Sequence, residues 1–268
     1  MAHAEGGGKM NKIKAKSLIG AGLKLNFLQA SWNFERLQNA GFLFAIYPLL
    51  KIIYGGDREK LAAAVKRHMN FFNTNFFFAS AALGVMAKLE EELPDDDQAR
   101  KESEIENTKM GIMGPLAAIG DSLFWSGIKP FALLTGAAIV LLGGFTNESV
   151  IAAAAVSLFV FNVPKAVIKY YLLAKSYYNY RELFILIQKV KFQDLMKSIK
   201  VVGIGLGGAV LACYLAVKEL TIIEARPADT LLMCAAYYFM ALALKKKRTV
   251  FQVFLGTVVI CIVFSYII

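Results

Sequence analysis

Six stretches of this chain, residues 71–87, 130–147, 149–164, 201–217, 230–244 and 249–268, contain no charged side chain. Several approach the ~20 residues that a helix needs to cross a bilayer. Lipid offers the backbone no hydrogen-bond partner, so a long apolar run there must satisfy itself as a helix. Composition agrees: 57% of the 268 residues are hydrophobic, 19% are charged and the mean hydropathy is +0.51, too apolar for an ordinary soluble domain. The expected fold is an all-α polytopic membrane protein with interfacial amphipathic N-terminal helices, broken or re-entrant membrane helices, and C-terminal transmembrane helices. The shorter runs, interrupted by Gly or Pro, suit broken helices and re-entrant hairpins that line a protein-enclosed pathway.

Charge placement orients the chain. The formal net charge is +10. Between residues 165 and 200 eight Lys or Arg stand against two acids, Glu182 and Asp194, and KKKR at 245–248 separates the last two apolar runs. The positive-inside rule places both on the cytoplasmic face, together with the lysine-rich N-terminus. Runs 201–217 and 230–244 then form a hairpin with an external loop, and the last run carries the C-terminus outside. An even number of crossings must precede Lys165. One crossing broken within 110–145, a return through 149–164 and a re-entrant segment near 71–87 meet that count. Topology accounts for the positive charge and leaves no role for nucleic acid. The expected division is a tail at 1–8, interfacial helices over 9–109 with an acidic linker at 88–107, and a transmembrane region over 110–268. Lysines interrupt the apolar residues at the start of the chain, so no cleavable signal is read there.

Smaller features fit this frame. Residues 10–54 suit helices at the cytoplasmic interface, with Pro48 bending or restarting the chain. Asp57 is placed to N-cap a basic helix carrying Leu61, Val65 and Met69 on one face, read as a surface helix. Residues 88–107 hold nine of the chain's 20 acids. They suit a solvated helix end and linker, or a dock for a soluble partner. Gly203 and Gly207, and the alanines at 152–155, let helices approach closely. Cys213, Cys234 and Cys261 lie in apolar runs and read as small core residues, and with two histidines, His3 in the tail and His68 in a basic helix, no His-based metal site is expected. No metal or cofactor is expected.

The polar residues inside apolar segments remain. In MGPLAAIGDSLFWSGIKP, Asp121 and Lys129 cost roughly 2.5 to 3.5 kcal/mol each on insertion scales, so they should be paired, solvated or functional. In one unbroken helix their spacing gives about 12 Å of rise and roughly 80° of rotation, which keeps them apart. A break at Gly127 or Pro130 would alter that. Asn73, Thr74 and Asn75 interrupt the aromatics of FFNTNFFF, where amides can satisfy a turn or hydrogen-bond sugar hydroxyls. Asn162 and Lys165 stand where an apolar run meets Pro164, a position that suits an interfacial anchor. No set of nucleophile, base and orienter emerges, so no catalytic residue is assigned.

At these residues the chain resembles the IID membrane subunit of the mannose/fructose/sorbose-type bacterial phosphotransferase system (PTS). The likeness runs from LQASWNFERLQNAGF (28–42) through FFNTNFFFASAALGVMAKLEEE (71–92) and MGIMGPLAAIGDSLFWSGIKP (110–130) to FNVPKAVIKYY (161–171). The resemblance implies a non-catalytic subunit of the bacterial inner membrane, forming a hetero-oligomer with a IIC membrane subunit. IIA and IIB carry the phosphoryl group, and IIB phosphorylates the sugar as it crosses. It marks Asn73, Thr74, Asn75, Asp121, Trp125, Lys129, Asn162 and Lys165 as candidates for a substrate pathway or subunit interface. Where the family has His after Asn-Thr this chain has Asn75, and where it has Arg before Pro this chain has Lys129, which lacks the bidentate fork. A stand-alone secondary transporter and a non-transporting assembly protein are the competing readings.

Overall fold

A computed structural model of the chain describes residues 12–182, 198–199, 201–203, 205 and 207–208. Expectations for the C-terminal hairpin, the three cysteines and the position of the C-terminus lie outside the described residues. Within them the chain is helical. Helix α1 (Ala15–Lys24) tightens into a 3-10 turn at Leu25–Phe27. Then come α2 (Asn39–Tyr54), α3 (Arg58–His68), α4 (Ala79–Glu92), α5 (Gln98–Leu123), α6 (Lys129–Leu142) and α7 (Asn147–Tyr178).

The segment between α1 and α2 is braced locally. Asn33 and Leu37 exchange backbone hydrogen bonds, and the Gln38 amide donates to the Phe72 carbonyl at 2.8 Å. Asp57 caps α3 as expected, its carboxylate accepting from the Lys60 amide at 3.1 Å. Asp97 caps α5 by the same means and Thr146 caps α7, after a turn in which Gly144 and Phe145 both take positive φ. Pro48, Pro115 and Pro164 all sit inside helices that continue past them. Pro48 therefore does not restart the chain, and the apolar run ending at Pro164 is the first half of a longer helix.

Among the described residues, two helices are long and apolar enough to cross a membrane. The first is a continuous rod, Gln98–Leu142, of 45 residues; the second is α7, with 32. At 1.5 Å per residue they measure roughly 68 and 48 Å, more than the ~30 Å hydrocarbon core, so each extends beyond the lipid. Their outward face carries exposed Leu133, Leu142, Ile151, Leu158, Phe159 and Val167, a surface suited to lipid or a membrane partner. The break expected in this crossing takes the form of a π-helical turn, Phe124–Ile128, where the Lys129 amide reaches back five residues to the Phe124 carbonyl. Pro130 follows, without an amide hydrogen to continue the α ladder.

Helix α4 is the hub. Every residue from Ala79 to Glu90 is buried, against α2, α5 and above all α7. Gly84 makes that approach possible, since a Cβ there would lie 2.7 Å from the Leu173 carbonyl oxygen and closer still to the Ser176 hydroxyl. Phe42, Ile46, Leu49, Leu83, Met86 and Leu173 complete a core continuous with α4.

One end of α4 enters a buried ionic cluster that the sequence reading did not expect. Residues 88–107 fold as the end of α4, a turn and the first turns of α5, and Glu90 is only 1% exposed. Its carboxylate accepts from Arg67 Nε at 2.7 Å, from His68 Nε2 at 2.8 Å and from the Tyr54 hydroxyl. Lys101 Nζ donates to the Glu90 carbonyl oxygen at 2.9 Å and pairs with Asp95 at 2.7 Å. Lys109 Nζ donates to the Arg67 carbonyl oxygen at 3.2 Å. Helix α3 is thus anchored through Ala64, Arg67 and His68, not set on the surface, while Leu61, Val65 and Met69 are only half-buried.

Burial alone would raise the Glu90 carboxyl, but the His68 hydrogen bond, the nearby positive charge and the Tyr54 hydroxyl together hold it down at about 2. Burial pushes the His68 imidazole below its ordinary value, against the pull of Glu90. Its Nδ1 is buried and has no partner among the described residues. A proton there would be an orphaned donor, so His68 is the neutral Nε2–H tautomer and Arg67 supplies the compensating charge.

Candidate functional site

The segment between α3 and α4 passes beside the lower part of the long rod, and the polar residues singled out in the sequence meet there. Thr74 and Asn75 are buried, Asn73 is exposed. Gln38, at the start of α2, accepts from the Thr74 amide through Oε1 at 3.0 Å, and the Thr74 hydroxyl donates to the Met113 carbonyl at 3.0 Å, two residues before Pro115. The Asn73 amide points at Met113 sulfur, 3.2 Å away.

Asn75 serves two purposes. Its Oδ1 accepts from the Phe77 and Phe78 amides at 3.0 and 3.2 Å, a local side-chain turn that starts the chain into α4. With the oxygen thus engaged, its Nδ2 donates to Asp121 Oδ1 at 2.7 Å. Gly120 leaves the room for this pairing, because a Cβ there would collide with the Asn75 side chain. Asp121 itself is exposed, and among the described residues it receives this one hydrogen bond.

An aromatic cluster adjoins the pair. Phe77 lies 4.3 Å from Phe124, 6.5 Å from Trp125 and 6.1 Å from Phe161, ring centre to ring centre. Phe124 and Trp125 belong to the π-helical turn, whose extra residue re-aims the side chains of the helix at this level. Lys165 holds its ammonium 5.7 Å from both Phe77 and Phe161 and bonds Asn162, whose amide also donates to the Leu158 carbonyl at 2.8 Å. Lys129 lies 4.8 Å over the Trp125 ring, about one turn further along the rod.

The eight candidates therefore fall into linked groups. Asn75 and Asp121 bond directly. Lys165 reaches the same aromatic cluster from α7 with Asn162 bonded to it, and Trp125 borders it from the rod. Asp121 and Lys129 do not pair, as their spacing predicts; each is met by a different neighbour. Lys129 is exposed, and Asn73 turns outward at the rim. Sequence reasoning missed Gln38, Met113 and the phenylalanines that bind these groups together. The aromatic run of FFNTNFFF was the available signal, although partners so distant in the chain are not readable from it. Among the described residues no three His, Cys, Asp or Glu side chains come together as a metal set. Nothing here pairs a nucleophile with a base. The arrangement offers hydrogen-bonding groups and aromatic faces, the means by which a site holds a polyhydroxylated solute.

Comparison with known proteins gives the family. The family described as the PTS system mannose/fructose/sorbose family IID component matches residues 12–268. The mannose-specific EIID component of Escherichia coli K12 is 34% identical over 166 residues, 62% of this chain and 56% of that protein. The fructose permease IID component of Bacillus subtilis is 29% identical over 204 residues, covering 76% of this chain and 71% of the relative. The chain thus spans little more than half the length of the Escherichia coli relative. Among solved structures, a chain of the mannose transporter ManYZ in complex with a microcin is 27% identical with a TM-score of 0.56, covering 95% of this chain and 97% of that one. A second chain, known only as a membrane protein, is 26% identical at a TM-score of 0.65, covering 94% and 97%. The chain is a membrane protein and belongs to the mannose/fructose/sorbose family of PTS IID components.

Proposed function

We propose that this chain is the IID subunit of a sugar permease, acting with a IIC membrane subunit to translocate a sugar that a IIB subunit phosphorylates during uptake. The observation that carries the reading is the Asn75–Asp121 pair beside the π-helical turn, within the stretch that matches the family. It supplies polar lining in an apolar wall. Asn73, Asn75, Asp121, Trp125 and Lys129 then contribute to the pathway or to the IIC boundary, and Thr74 positions them by tying the segment to α5. Asn162 and Lys165 support the same wall from α7. The chain supplies no phosphoryl-transfer chemistry, which belongs to the IIA and IIB partners. The outward apolar face of α6 and α7 supports a membrane partner, and the lysine-rich N-terminus, on the same side as the basic residues 165–200, supports a cytoplasmic N-terminus with multi-pass insertion in the inner membrane.

Purification of the chain from its native membranes in mild detergent, followed by mass spectrometry, tests this reading. A polytopic partner in stoichiometric amount is expected, and the complex should phosphorylate a member of a sugar panel with phosphoenolpyruvate and the soluble phosphocarriers. Recovery of a folded chain that binds and transports a solute alone would overturn the subunit reading and establish a stand-alone secondary transporter.

A further inference from the structure

The N-terminal helix holds a feature that sugar translocation does not use. Helix α1 is clamped to α7 at its far end. Gly22 lets the two touch, since a Cβ there would lie 2.8 Å from Leu173 and 2.9 Å from Tyr170, and Lys169 donates to Asn26 Oδ1 at 2.7 Å. Nearer its N-terminus α1 also approaches α7, where the Tyr177 hydroxyl meets the Ile13 backbone. An open apolar groove of about 310 Å³ lies between them, lined by Ala15, Leu18, Ile19, Tyr170, Leu173 and Tyr178. Ile19 and Tyr178 are about half exposed.

Three observations identify what fits. First, the groove opens onto a strip of exposed apolar residues, Ile19, Leu23 and Phe27, repeating every four residues along one face. Second, residues 12–34 contain no acid but four lysines, 12, 14, 16 and 24. Lys14 and Lys16 flank Ala15 at the groove and are exposed, with no ion pair among the described residues. Lys24 stands 4.6 Å over the Phe44 ring, a cation held at the edge of the strip. Third, the nearest acids on the neighbouring helices are engaged. Glu91 accepts from the Tyr177 hydroxyl at 2.8 Å and from the Lys12 amide, and Glu182 pairs with Lys175. An apolar slot bordered by unopposed cations complements an amphiphile with an anionic head.

We propose that the α1–α7 groove is a binding site for an anionic phospholipid, one acyl chain lying along Ala15, Leu18 and Ile19 and the headgroup meeting Lys14 and Lys16. The bilayer is the source of the ligand. The site anchors α1 against the membrane at the point where α7 leaves it.

Native mass spectrometry of the full chain with its co-purifying subunits, offered equal amounts of phosphatidylglycerol and phosphatidylethanolamine, tests the site. The wild-type chain is expected to retain phosphatidylglycerol in about tenfold preference. Ala15→Leu, which fills the groove from an exposed helical position, should lower retention of both lipids. The double variant Lys14→Gln, Lys16→Gln should keep bound lipid and lose the preference. Equal retention of the two lipids by the wild type, or a preference unchanged in both variants, would overturn the proposal. A photo-crosslinking group at position 19 that captures a protein segment in place of lipid would overturn it too, and would make the groove a subunit contact.

Discussion

Among the described residues two polar clusters stand out, one inside the apolar interior and one at its edge, and they are built on opposite plans. Around Glu90 the charges are sealed away and saturated: the carboxylate is met by Arg67, His68 and Tyr54, and Lys101 is bound to carbonyl oxygens and to Asp95. Around Asp121 the carboxylate is exposed, and among the described residues a single bond from Asn75 holds it. With its charges met, the buried cluster is sealed from a ligand even though His68 Nδ1 is left over; its worth lies in fixing α2, α3, α4 and α5 to one another. A lightly held exposed group beside a distorted helical turn keeps capacity in hand. The contrast teaches that burial of charge marks architecture in this fold, and that the exposed, lightly held carboxylate is the place proposed for a solute.

The contrast is broken or sharpened by substitution. The largest effect is expected from Glu90→Gln, which leaves Arg67 and Lys101 short of a buried counter-charge and should cost about 3–5 kcal/mol. Thermal unfolding in detergent reads this directly, and uptake per folded molecule should remain near normal. A melting temperature equal to that of the wild type would remove the architectural role assigned to the cluster.

Acid acts on the same cluster more gradually. The Glu90 carboxyl sits lower in the fold, at about 2, than its ordinary 4.5, so its stabilising contribution is complete above about pH 4.5 and disappears as pH falls toward 2. His68 is also held below its ordinary 6.5; the unfolded chain then takes up a proton more readily, and stability declines as pH drops below that value. Stability measured across pH 7 to 4 should fall, and His68→Gln should flatten the upper part of that decline. An unchanged slope in the variant would mean that His68 is already charged in the fold.

At the second cluster the effects on stability are smaller. Asn75→Ala removes the turn bonds to Phe77 and Phe78 as well as the link to Asp121, and should cost about 1–2 kcal/mol. Lys129→Gln removes only a half-exposed cation over Trp125, and about 0.5 kcal/mol is expected. A loss from Lys129→Gln as great as that from Glu90→Gln would erase the distinction between the clusters.

Much of this architecture is legible in the residues. The charge-free runs at 130–147 and 149–164 mark α6 and the first half of α7, Asp57 marks the start of α3, and the polar interruptions at 73–75 and 121 mark the positions that meet. What stays hidden depends on long-range packing. In the run Glu90, Glu91, Glu92 only the first is fully buried, because it continues the stripe of Leu83 and Met86 on a helix surrounded on all sides. Spacing held that signal, although three consecutive acids read as solvated. His68 and Arg67 were obscured in the same way, since a basic helix end looks like surface until a buried carboxylate faces it. Gly127 and Pro130 announced a disturbance in the rod, but local spacing carries neither its π-helical form nor the packing of Phe124 and Trp125 against Phe77, more than forty residues earlier in the chain.

The central claim is that the Asn75–Asp121 pair serves the solute and the Glu90 cluster serves the fold. Asp121→Asn tests it most directly, because the amide oxygen can still accept from Asn75 while the charge is lost. Sugar uptake should be measured in cells alongside the amount of assembled complex and its melting temperature. The account predicts normal assembly, a stability change within about 0.5 kcal/mol and an uptake rate lowered about tenfold. Uptake at the wild-type rate by a fully assembled Asp121→Asn complex would contradict it.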